Sequence, residues 1–173
     1  DGASHQALED ISLMRGLPNM TVIVPGDYNQ TRQAVKYAAE HNGPVYIRLS
    51  RMNVPEIYDE NYTLDINKAV TLKEGKDVSV FVTGDLLAEV MKANEILKAK
   101  GIDAEIINIP VIKPLDCGTI INSVNKTGLA VTVENHSVIG GLGSAVCETL
   151  SENAPHKVLR IGINDTFGQS GTP

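Results

Sequence analysis

No apolar run in this 173-residue sequence approaches the ~20 residues needed to cross a bilayer. The opening Asp1-Gly2-Ala3-Ser4-His5 has neither the basic nor the apolar stretch of an export signal. No membrane partner is expected, and the cytoplasm is the expected compartment. Cysteine is scarce: Cys117 and Cys147 make no C-x-x-C pair, so neither a disulfide framework nor a metal site has support. Basic residues are outnumbered, with 15 Lys and Arg against 21 Asp and Glu, and they are scattered without a basic block or interleaved aromatics. That removes the electrostatic footprint of a nucleic-acid binder. There is no internal repeat and no low-complexity tract.

What is present is the balance of a folded protein, 42% hydrophobic and 21% charged, with length for one core or two small ones. Helical spacing of Leu8, Ile11 and Met14 predicts a helix over residues 6–15, stopped by Gly16 and Pro18. Thr21-Val22-Ile23-Val24 reads as a buried strand that turns at Pro25-Gly26. Asp27 then caps a helix with Gln30 reaching back, and Ala34, Val35, Ala38 and Ala39 form the expected inward face. Val45 to Leu49 reads as the next strand, so a right-handed parallel crossover is implied.

Pro55, several Asn residues and the absence of periodicity mark residues 51–67 as a linker. Beyond it the pattern alternates: an edge strand at 69–73, a buried strand at 78–83, and a helix carrying Leu86, Val90, Ala93 and Leu97 that ends at Gly101. A strand at 104–109, a helix capped by Asp116 through Val124, a strand at 129–134, a helix from about 143 to 153 and a strand at 158–161 follow. The expected fold is α/β. Residues 1–50 form an incomplete open parallel sheet, and residues 68–173 a complete α/β domain with a mostly parallel sheet.

Three places could carry chemistry. Asp1 and His5 share a loop of small residues whose acid and imidazole could hydrogen-bond a polyol, although a lone His near a chain end is ordinarily just solvated. Arg51 lies past the carboxyl end of the 45–49 strand, where open parallel sheets bind ligands, and a guanidinium there can grip a phosphate through two parallel bonds. Its neighbour Arg48, set against the sheet by strand alternation, suits a structural ion pair. The third place is Glu134-Asn135-His136 followed by Gly140-Gly141-Leu142-Gly143-Ser144. It could cradle a phosphate on a helix start, but it fails the G-x-G-x-x-G pattern and suits tight-turn packing better.

Taken together, Asp1-Gly2-Ala3-Ser4-His5-Gln6, Leu8-Glu9-Asp10, Arg15-Gly16-Leu17-Pro18-Asn19-Met20 and Val24-Pro25-Gly26-Asp27 closely resemble the second half of the transketolase pyrimidine-binding domain. The resemblance continues through Gly43-Pro44-Val45-Tyr46-Ile47-Arg48-Leu49-Ser50-Arg51, Val133-Glu134-Asn135-His136 and Gly140-Gly141-Leu142-Gly143-Ser144-Ala145, and it ends in Phe167-Gly168-Gln169-Ser170-Gly171. It covers nearly the whole chain.

The resemblance implies a thiamine-diphosphate transferase that moves a two-carbon ketol unit from a ketose phosphate to an aldose phosphate. On this resemblance Asp1 looks like the family's aspartate that reads donor hydroxyls, His5 like the histidine near the thiazolium, and Arg51 like the phosphate anchor. The family usually has Gln where this chain has Met52. The residues that hold the cofactor and its Mg²⁺ or Ca²⁺ lie upstream of Asp1 in the family. The resemblance therefore implies a piece of a longer or split subunit, inactive alone, with no cofactor-binding residue and no bound cofactor of its own. A homodimer, or a partner subunit carrying the diphosphate-binding domain, is the implied partner. Deoxyxylulose-phosphate synthase shares the D-G-x-x-H-Q signal, pyruvate dehydrogenase beta subunits are more distant, and a non-catalytic association module is the alternative of another class. Leu49-Ser50-Arg51 favours transketolase.

Overall fold

The structure, a computed structural model, describes residues 3–171. Asp1 lies outside the described residues. Two sheets organise the rest. In the first, β1 (Thr21–Ile23) and β2 (Val45–Ile47) run parallel, joined by α2 (Tyr28–Glu40), which is the crossover the sequence predicts. A short α1 (Asp10–Arg15) precedes them. It starts four residues later than helical spacing suggests.

The second sheet has the order β3-β5-β4-β7-β8. Its edge strand β3 (Val70–Lys73) is antiparallel to β5 (Ala104–Asn108). β4 (Val78–Val82), β7 (Leu129–Ser137) and β8 (Lys157–Ile163) run parallel to their neighbours. Helices α3 (Leu87–Ala99), α4 (Cys117–Thr127) and α5 (Leu142–Asn153) make the crossovers. β7 runs three residues past the predicted Glu134, with strict alternation of buried and half-buried positions.

One strand has no counterpart in the sequence reading. β6 (Val111–Lys113) lies beyond the linker yet pairs antiparallel with β1, giving the first sheet the order β2-β1-β6. Three residues between Pro110 and Pro114 are too few to show a period of two. The two sheets also share a core: Ile11 and Val22 pack in the same cluster as Phe81, Ile107, Ile120, Leu142 and Leu150.

The inward face of α2 differs from expectation. Ala34 is buried, but Val35 is 53% exposed and Ala39 is exposed, whereas Asn29 and Gln30 are sealed. The linker explains this. Asp27 caps α2 through the Gln30 N–H (2.8 Å), and its other oxygen accepts the N–H groups of Ile57 (2.9 Å) and Tyr58 (2.8 Å). Gln30 Oε1 accepts from Gly26 N (2.9 Å) and Asn108 Nδ2 (3.0 Å), and its amide meets the Tyr62 hydroxyl at 3.0 Å. Buried amides thus find partners in the strap that crosses them, as buried polar groups must. Burial pushes the phenols of Tyr58 and Tyr62 up.

Asp116 does the same work for α4. It accepts from Thr119 N (3.1 Å), Thr119 Oγ1 (2.7 Å) and, from the residue before β3, Ala69 N (3.1 Å). Burial alone would raise this carboxyl, but these bonds hold it below its ordinary value. Its stabilising contribution is therefore present above the unfolded pKa and lost as pH falls through the folded one. Asp116→Ala should cost about 1–2 kcal/mol near neutrality. Urea unfolding at about pH 7 and about pH 3 should show the gap to wild type closing in acid.

Candidate functional site

The approach to α1 is the region of interest. His5 closes a 3-10 turn, Ala3–His5, and is exposed, with its Nδ1 3.0 Å from Ser4 Oγ. The segment after it crosses the carboxyl end of β2, where Arg48 Nη2 donates to the Ala7 carbonyl at 2.8 Å. Arg51, three residues on and exposed, leaves the same strand end. The segment after His5 is thus tied, through Ala7, to the strand end that Arg51 follows, and among the described residues the two side chains line no common cavity.

Arg48 forms the structural pair that its place on the strand suggests. Its Nε lies 3.0 Å from Asp10 Oδ2, with the two side chains 17% and 10% exposed. The Tyr46 hydroxyl donates to the same Asp10 oxygen at 2.7 Å. Burial first, then the bond and charge of Asp10, push Tyr46 up to about 12. Behind Asp10 stands His136 from β7, fully buried, its Nε2 3.9 Å from Asp10 Oδ1. A carbonyl can only accept, so the 2.7 Å contact between His136 Nδ1 and Ser137 O places a proton on Nδ1. Nε2 has no hydrogen-bond partner among the described residues.

In the sequence Glu134 and His136 stand out only as part of the strand and glycine-rich turn that could cradle a phosphate, with no role of their own, and Asp10 is not singled out. Their roles follow from contacts between distant segments, for which the only local signal is polar residues at buried positions of a strand. Glu134 resolves the glycine-rich turn. Its carboxylate, fully sealed, accepts from Leu142 N (2.7 Å) and Gly143 N (2.8 Å) at the start of α5. A helix start attracts an anion, and here the anion is internal. A Cβ on Gly141 would also run into Glu134 and approach His136 Nδ1 to 2.7 Å. The turn is therefore packing, and no phosphate fits on it. Arg15 closes the other side, donating to Gly140 O (2.7 Å) and pairing with Glu148 (2.6 Å).

A cavity of about 390 Å³ opens at the carboxyl ends of β1 and β2, among Gly26, Tyr28, Thr31, Ser50, Met52 and Asp85. Parallel sheets commonly receive ligands at this end. Ser50 and Met52 line it, whereas His5 and Arg51 do not. Asp85 Oδ2 accepts from Asn135 Nδ2 at 3.1 Å. Among the described residues no group of three or more His, Cys, Asp or Glu could hold a metal ion. The Leu142 and Gly143 N–H groups at the α5 start are taken by Glu134, so that helix start is closed to the diphosphate of a thiamine cofactor.

Comparison with known proteins decides the family. Residues 1–56 match the transketolase pyrimidine-binding domain, and residues 67–173 match the transketolase C-terminal domain. The chain belongs to the transketolase family. A putative transketolase C-terminal section from Methanocaldococcus jannaschii is 48% identical over 99% of this chain and 54% of its own length. A 6-deoxy-6-sulfo-D-fructose transketolase subunit from Clostridium sp. (strain MSTE9) is 46% identical over 99% of this chain and 53% of its own length. The chain therefore spans about half the length of the curated relatives it matches. A solved structure, "Split gene transketolase, inactive beta4 tetramer", superposes with a TM-score of 0.93 at 50% identity, over 96% of this chain and 56% of that one. Transketolases as a family depend on thiamine diphosphate. No helix of the described residues is long and apolar enough to cross a membrane.

Proposed function

We propose that this chain is part of a thiamine-diphosphate transketolase that transfers a two-carbon ketol unit from a ketose phosphate to an aldose phosphate. The observation that carries the reading is the match of both halves of the chain to transketolase domains. The His5 segment and the Arg51 turn leaving one end of β2 support it. In this reading residues 1–50 present the sugar-contacting groups, residues 51–67 link, and residues 68–173 support them. A partner subunit supplies the diphosphate and metal site.

In the assembled enzyme the bound cofactor would supply the electron sink, and this chain's residues would orient the sugar. His5 donates to or accepts from donor hydroxyls close to the reacting carbons. Asp1, which lies outside the described residues, reads hydroxyl stereochemistry. Arg51 holds the sugar phosphate with a planar fork, which fixes the far end of the substrate and so the reach of its carbonyl. The orientation of a flexible phosphorylated sugar is the protein's main contribution to such a reaction.

The association-module alternative has support of its own in the edge strand β8, where Leu159 and Ile161 are 55% and 49% exposed. Both readings predict assembly, and only one predicts turnover. Titration calorimetry of the chain alone with thiamine diphosphate and Mg²⁺ should give no binding. Mixed with the subunit that carries the diphosphate-binding domain, the chain should transfer ketol units between pentose phosphates. Tight cofactor binding by this chain alone would refute the division of labour, and an assembled complex without ketol transfer would leave only the association module.

A further inference from the structure

Residues 6–9, between the turn that ends in His5 and α1, belong to no helix or strand. Such a segment samples many conformations unless it is tied, whereas orienting a substrate demands placement within a fraction of an ångström. Three ties are visible. The Ala7 carbonyl accepts from Arg48 Nη2 at 2.8 Å. The Leu8 carbonyl accepts from Ser137 N, at the end of β7, at 2.8 Å. Gln6 packs so closely on Gly168 that a Cβ there would collide with its side-chain amide.

We propose that Asp10 and Arg48 are positioning residues that hold the His5 segment in place, and that the β7 end carrying His136 and Ser137 is the wall against which they hold it. The assignment rests on the proposed role of His5. Arg48 uses one guanidinium to bridge two elements: Nε grips Asp10 at the first residue of α1, and Nη2 grips the loop at Ala7. Asp10 is in turn oriented by the Tyr46 hydroxyl, and Ile11 beside it is completely buried in the shared core. The bridge is therefore anchored to the rigid part of the molecule and released only at the loop. Lysine could meet Asp10 as a point charge, but it lacks the rigid fork that reaches both partners at once.

The same contacts would exist if the pair served folding alone, so the test must separate stability from placement. In the chain assembled with its cofactor-bearing partner, Arg48→Lys should lower kcat about 10- to 100-fold, with the KM for a ketose phosphate changed less than about threefold. In a His5→Ala background the same change should cost less than about threefold, because there is no longer an imidazole to misplace. Losses that multiply across the two sites would overturn the proposal. If Arg48→Lys fails to assemble, Tyr46→Phe, which removes a single hydroxyl from Asp10, takes its place in the cycle with the same non-additivity expected. Hydrogen exchange supplies a readout independent of ketol transfer. Residues 5–9 should exchange at least about tenfold faster in the variant, with α2 unchanged. Unchanged exchange at 5–9 would sink the positioning role whatever the reaction. Absent turnover in the wild-type assembly, by contrast, speaks only against the proposed function.

Discussion

Glu134→Ala is expected to lower the unfolding free energy by about 3 kcal/mol, the largest stability loss foreseen for a single site. The side chain is fully sealed, and it is the acceptor for two N–H groups at the start of α5. Removing it leaves both donors buried without partners, at roughly 1–3 kcal/mol each. Relief of a buried charge works in the opposite direction. Burial pushes this carboxyl up, against the pull of the two N–H groups, His136 and Arg15. That relief is partial, because the helix start and its dipole favour an anion there.

The sign of the pH dependence follows from the raised carboxyl. The folded protein keeps its proton where the unfolded chain has released it, so the contribution of Glu134 is greatest below the ordinary glutamate value and declines as pH rises through the folded one. Chemical denaturation at about pH 4 and about pH 8 should therefore show a larger deficit for Glu134→Ala in acid. This is the reverse of Asp116, whose contribution fades in acid. A variant as stable as wild type, or a deficit that widens with pH, would contradict the buried-acceptor account. Glu134→Gln, which retains one acceptor oxygen, should fall between the two.

Arg51→Ala carries the largest expected effect on activity. With Arg51 as the phosphate anchor, the assembled enzyme should lose about 2–3 kcal/mol in kcat/KM for phosphorylated donors, roughly 30- to 150-fold. Most of the loss should fall on KM, because a phosphate remote from the reacting carbons is held about equally in the ground and transition states. Unphosphorylated ketoses should lose little. Steady-state kinetics on a ketose phosphate and its unphosphorylated counterpart provide the comparison, and equal losses on both would remove Arg51 from phosphate binding. Arg48 offers the internal contrast. Its guanidinium is committed to Asp10 and Ala7, so its replacement should act on kcat for both kinds of donor alike.

The elements that can be read directly are those whose signal is local. Asp27 and Asp116 cap their helices through N–H groups three residues on, and β4 and β5 are short runs sealed on both faces in which apolar residues predominate, with Ser79, Glu105 and Asn108 as the polar members. The misreadings share a cause. Helical spacing places Val35 inside because it cannot see that the linker returns to bond Asn29 and Gln30 and leaves Val35 in water. β6 is invisible to such a reading because it has three residues and its partner lies far upstream. The glycine-rich turn suits either a phosphate or packing, and only the contact with Glu134 separates the two.

By itself the sequence determined the α/β alternation, the helix caps, the family through its motifs, and the candidates His5 and Arg51, since each depends on neighbours within a few residues or on a contiguous pattern. Tertiary structure alone decided which polar groups are sealed together. Asp10 comes from α1, Tyr46 and Arg48 from β2 and its end, and Glu134 and His136 from β7, and a buried charge is tolerated only where distant partners converge on it. Such convergence depends on how the chain returns on itself, which no local spacing encodes.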